Sequence, residues 1–150
     1  MKDLSYFAAR LPCSHEEKTE CLQTMKKLSH FLVVGRTDGF LALEYFGEGE
    51  TNPLIKACLL DILDGLDGTQ LEQRFEGYLA AGNYHGKDFL QAVIVLRGFL
   101  LLQACHTPEV LWNEMQGFFG ANYAWEYREA FRLERKNKGE TWSLRKAKNC

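Results

Sequence analysis

The stretch DFLQAVIVLRGFLLLQA, residues 88–104, decides the fold. It is apolar on almost every side at helical spacing, and Asp88 and Arg97 are its only charged residues. A helix that is apolar all round must be covered, either by other helices or by lipid. Gln91, Arg97, Gly98 and Gln103 interrupt the run. A membrane span needs about 20 predominantly apolar residues. The segment therefore reads as a central buried helix, capped by Asp88.

The flanking sequence supplies helices to cover it. Ser14 and Glu17 have capping-box spacing. Cys21, Leu22, Met25, Leu28, Phe31 and Leu32 follow at three- and four-residue steps. This helix is expected to continue through Gly35 and Gly39 to Phe46, with a kink or close packing at the glycines, and residues 47–52 read as a loop. Asn52-Pro53 is a strong helix start, since Asn accepts at the N-cap and Pro fits the first turn. Its stripe, Leu54, Ile55, Cys58, Leu59, Ile62 and Leu63, stops at Gly65. Asp67 or Thr69 opens the next helix, with Leu71, Phe75, Tyr78 and Leu79 inward, ending near Gly82. Thr107-Pro108-Glu109 begins another, through Phe118 or Phe119. The last spans Asn122 to about Lys138 and is broken by Gly139. No period-two alternation and no repeat is present. The expected fold is all-α, a compact bundle of five or six helices over residues 1–138, followed by a basic tail at 139–150.

Composition agrees with one packed domain. The chain has 150 residues, 46% hydrophobic and 25% charged, with net charge −2; it is too apolar and too weakly charged for general disorder. The charge is uneven. Residues 126–150 hold eight basic and four acidic residues, a net of +4, which leaves −6 on the preceding 125. That acidic body argues against nucleic acid as a partner, despite the basic tail with Trp142. Trp112, Trp125 and the ten Phe read as core. Five cysteines with no CxxC, and no secretory signal at the start, predict reduced thiols in a cytoplasmic protein.

Candidate chemistry is sparse. Asp61, Asp64 and Asp67 lack the alternating acidic ligands of a calcium loop and read as a solvated helix end. Cys105-His106 and Cys13-Ser14-His15 lack the paired spacing of a zinc site. No phosphate loop, HExxH or GxSxG is present. The chain is therefore expected to be a non-enzymatic binding protein without metal or cofactor. The alternative is a small-molecule or metal-binding regulator with a pocket near His85, Cys105 and His106.

One region resembles a known family. Arg36, Gly39, Leu43 and Glu44, followed by the helix from Asn52 to Gly65 and the acidic helix from Thr69 to Tyr84, are similar to the cytoplasmic region of MotA-type flagellar stator subunits. The similarity covers about residues 25–88. In that family, charged residues of this region engage the rotor. The resemblance therefore implies a protein–protein interaction module whose partner is a rotor or motility component. It places Arg36 and Glu44 at the partner surface, with Glu72 and Glu76 on the acidic helix as secondary contacts. On one continuous helix Arg36 and Glu44 would lie about 80° apart around the axis and about 12 Å along it. The membrane helices of stator subunits have no counterpart in these 150 residues, so no membrane insertion or ion conduction is expected of them.

Overall fold

The computed structural model describes residues 3–142, except for the side chains of 140 and 141. These residues form eight α-helices, with no strand among them. They are α1 (Leu4–Arg10), α2 (His15–Asp38), α3 (Glu44–Gly49), α4 (Pro53–Leu63), α5 (Gly68–Ala81), α6 (Lys87–Gln103), α7 (Pro108–Met115) and α8 (Ala124–Trp142). Short 3-10 turns join α2 to α3 and α7 to α8. The all-α expectation holds, with more helices than the five or six anticipated.

α6 is the centre. Eleven of its 17 residues are buried, and it packs against α2, α4, α5 and α7, most extensively against α2. It begins two residues earlier than expected: Gly86 is the N-cap, and Asp88 lies in the first turn, where the helix dipole favours a carboxylate. The α2–α6 contact depends on two glycines. A Cβ on Gly98 would stand 2.6 Å from Leu28 Cδ1 and 2.7 Å from Leu28 Cγ. One on Gly35 would stand 3.4 Å from Leu102 Cγ. Each helix thus receives a leucine of the other against its bare backbone.

α2 does not run on to Phe46. It stops at Asp38 because Gly39 adopts φ 88°, ψ 167°, a conformation that leaves the helix and that a side chain rarely tolerates. The chain then turns through residues 40–43 into α3, so part of the expected loop at 47–52 is helical. α1 was not anticipated. Asp3 caps it by accepting from the backbone N–H groups of Ser5 and Tyr6, at 2.9 and 3.3 Å. Tyr6 and Phe7 then pack edge-on against Phe89, with ring centroids 5.9 and 5.5 Å away.

α8 runs through Gly139, where a break was expected. An interior glycine costs about 1 kcal/mol, whereas burying a large apolar side chain stabilises by about 2–3 kcal/mol. Trp142, assigned to the tail from sequence, is 3% exposed. Its ring lies 6.4 Å from Trp112 and 6.3 Å from Phe131. Trp112 anchors this corner: its indole N–H donates to Ser29 Oγ at 2.9 Å, and Ser29 donates to the Met25 carbonyl at 2.7 Å. Tyr127 donates to the Trp112 carbonyl at 2.5 Å. Trp125, by contrast, is 75% exposed, which corrects its assignment to the core. Residues 143–150 of the expected basic tail lie outside the described residues.

The α2–α6 contact generates a stability prediction. In Gly98→Ala, overpacking against fully buried Leu28 costs about 1–3 kcal/mol, and the gain in helix propensity returns about 1. A net loss of up to about 2 kcal/mol is expected in urea unfolding. Gly77→Ala on α5, where a Cβ meets open space, should instead gain about 0.5–1 kcal/mol.

Candidate functional site

The residues taken from the stator resemblance do not share one helix. Arg36 lies in the last turn of α2, and its guanidinium donates to the carbonyl of Cys105. Cys105 follows the C-terminus of α6 and has φ 62°, so its carbonyl lies at that helix end. A cation there also meets the negative end of the helix dipole. Arg36 thus ties α2 to the end of α6. Glu44 opens α3 and is exposed, as are its neighbours Leu41 and Tyr45, at 78% and 79%. Gly39 sets the chain reversal between Arg36 and Glu44, and Leu43 is fully buried. All four motif residues therefore have a part in the local fold.

Glu72 and Glu76 stand one turn apart on α5 and line a cleft with a volume of about 600 Å³. α1, α5 and α6 form its walls, and the 3-10 turn after α7 contributes Phe118. The floor is apolar: Phe7, Phe75, Leu79, Val93, Leu96 and Leu100. Among the described residues the rim carries Asp3, Glu72, Glu76 and Glu114, together with Arg97, which pairs with Glu114. Sequence reading located the two glutamates but not the cleft, because the wall that closes it is α1. The sequence signal for α1 was Asp3 placed two and three residues before Ser5 and Tyr6 at a helix start. A second hollow of about 560 Å³ lies between α2 and α3, beside Phe31 and Phe46.

In the acidic segment at the end of α4, Asp64 and Asp67 are exposed, as expected of a solvated helix end, but Asp61 is not. Asp61 is 3% exposed. It accepts from Arg74 Nη1 at 2.8 Å on one oxygen and from the Tyr78 hydroxyl at 2.7 Å on the other. A buried carboxylate needs such partners, because an unpaired one loses most of its hydration. Both donors come from α5, so this cluster fixes α4 against α5. Asp67 forms a reciprocal capping box with Gln70, at 2.8 and 3.0 Å, and is the helix start that sequence left open between Asp67 and Thr69.

His85, Cys105 and His106 are not brought together. His85 precedes α6 and the other two follow it, and a 17-residue helix is about 25 Å long. Among the described residues no group of three or more His, Cys, Asp or Glu side chains is placed to hold a metal ion. Cys13, Cys21 and Cys58 are free thiols. Burial pushes the Cys21 thiol up to about 12 and raises Cys58 further, so neither is a thiolate at neutral pH. Cys105 is disulfide-bonded, a departure from the reduced state expected of it.

The Asp61 cluster makes stability fall at alkaline pH. Burial, and then the hydrogen bond and negative charge of Asp61, push the Tyr78 hydroxyl up from 10.0 to about 12. Its neutral form is favoured in the folded chain, so its contribution is complete below pH 10 and disappears as pH rises through the interval to about 12. Tyr78→Phe should lose about 1–2 kcal/mol at pH 7, by leaving a buried carboxylate oxygen short of a donor. It should also show a shallower decline between pH 10 and 12 than the wild type in denaturant melts.

No protein-family model, curated protein or solved structure significantly matches this chain.

Proposed function

We propose that this chain is a protein–protein interaction module whose acidic-rimmed cleft receives a basic, amphipathic helical segment of a partner protein. The observation that carries the reading is the combination of an apolar floor with an anionic rim. An apolar groove suits the hydrophobic face of a helix, read through residues at three- and four-residue spacing. The carboxylates along the rim select lysines and arginines along the edges of that helix and speed the encounter. Glu72 and Glu76 are the specificity residues on the α5 side. The resemblance at Arg36, Gly39, Leu43 and Glu44 supports a search for this partner among rotor or motility components. Glu44, with Leu41 and Tyr45, then forms a separate contact, and Arg36 acts by holding the end of α6.

The test uses two fluorescently labelled 18-residue helical peptides, one of Leu and Lys and one of Leu and Glu, followed by anisotropy. The Leu/Lys peptide should bind, and a Glu72→Lys, Glu76→Lys double variant should weaken it by tenfold or more. Such a loss corresponds to at least about 1.4 kcal/mol. The Leu/Glu peptide should not bind the wild type. Equal affinity for the two peptides, or affinity unchanged in the double variant, overturns the reading.

A further inference from the structure

The exposed side of α8 has a pattern that neither the core nor the cleft uses. At 100° per residue, Trp125, Arg128, Arg132 and Lys136 fall within an arc of about 80°. All four are exposed, Trp125 to 75%. Leu133, 49% exposed, flanks the arc on one side and Arg135 on the other. Among the described side chains, Glu129 is the acidic residue between this arc and Leu133, and it is paired with Arg132 at 3.0 Å. The opposite side of the helix, with Tyr123, Tyr127 and Phe131 just before and along it, is buried. The exposed face is therefore held rigidly in place by the aromatic corner beneath it. The sequence continues the positive charge with Arg145, Lys146 and Lys148.

We infer that this face docks the protein peripherally on an anionic lipid surface. Basic residues interleaved with exposed Trp and Leu are the composition of helices that lie in the membrane interface. Clusters of four or more Lys and Arg are drawn to acidic headgroups. Trp is favoured at headgroup depth, where its ring is apolar and its N–H stays hydrated. Leu133 decides between anionic partners. An aromatic ring among arginines also suits stacking on unpaired bases, but an aliphatic side chain on the same face gains nothing there and gains by entering lipid. No described helix is long and apolar enough to cross a membrane, so the contact is superficial. This inference is independent of the cleft, which lies on other helices.

Trp125 reports on the contact directly, because Trp112 and Trp142 are buried. The full-length protein is mixed with vesicles of 30% phosphatidylserine in phosphatidylcholine, or of phosphatidylcholine alone, and assayed by co-sedimentation and iodide quenching. Binding to the phosphatidylserine vesicles, release by 0.5 M salt and protection of Trp125 from iodide are expected. Arg128→Gln with Arg132→Gln should reduce partitioning at least tenfold, and Trp125→Ala at least threefold, with far-UV circular dichroism unchanged. The Glu72→Lys, Glu76→Lys variant should retain binding. Failure to bind phosphatidylserine vesicles, or binding unaffected by these α8 substitutions, overturns the inference. Binding of single-stranded polyuridylate without vesicle binding overturns it in favour of nucleic acid.

Discussion

The bundle is organised by one close approach, Leu28 of α2 lying against the bare backbone of α6 at Gly98. Interiors are packed at crystal-like density, so a contact this close fixes both the separation and the register of the two helices. With α6 seated on α2, its remaining sides meet α4, α5 and α7. α7 in turn supplies Trp112, whose bond to Ser29 returns the chain to α2. The two glycines act in opposite directions along the pair, Gly98 receiving a leucine of α2 and Gly35 facing one of α6. The crossing is therefore reciprocal and resists sliding.

Polar groups fix the parts that this packing leaves undetermined. Asp61 takes both donors from α5 and orients α4 against it. Arg36 closes the end of α6 from α2. Such bonds are worth little relative to water when intact, but losing one partner leaves a buried group exposed to its full desolvation cost. They specify arrangement more than they add stability. The cleft is a result of that arrangement, with α1, α5 and α6 as its walls.

The most legible elements in the sequence were those that depend on local signals. The Ser14 and Glu17 capping box, the Asn52-Pro53 start and the apolar run of α6 all have a chemical signature within four residues. The errors arose where distant packing decided the outcome. Gly39 and Gly139 look alike in sequence, yet Gly39 ends a helix and Gly139 does not, because only the second is followed by a tryptophan with a buried place to occupy. Asp61 reads as solvated by type, and Arg74 and Tyr78, 13 and 17 residues away, reverse that reading. Trp125 reads as core by type but has no facing surface. At the candidate site, Glu72 and Glu76 were visible as acidic residues, but the cleft needs α1, whose seven residues carry too little periodicity to register.

The contact between Leu28 and Gly98 joins positions seventy residues apart in the chain. Closing a loop of that length carries an entropic cost of about 4 kcal/mol beyond a constant, and it must be met before the central pair gains anything from burial. Helical bundles usually fold fast because their contacts are local. Here α4 and α5 can associate early through neighbouring sequence, while the axis of the molecule waits for its two ends to meet. Folding rate in this protein is thus expected to depend on a long-range encounter of a kind more familiar in sheet proteins, even though every described element is a helix.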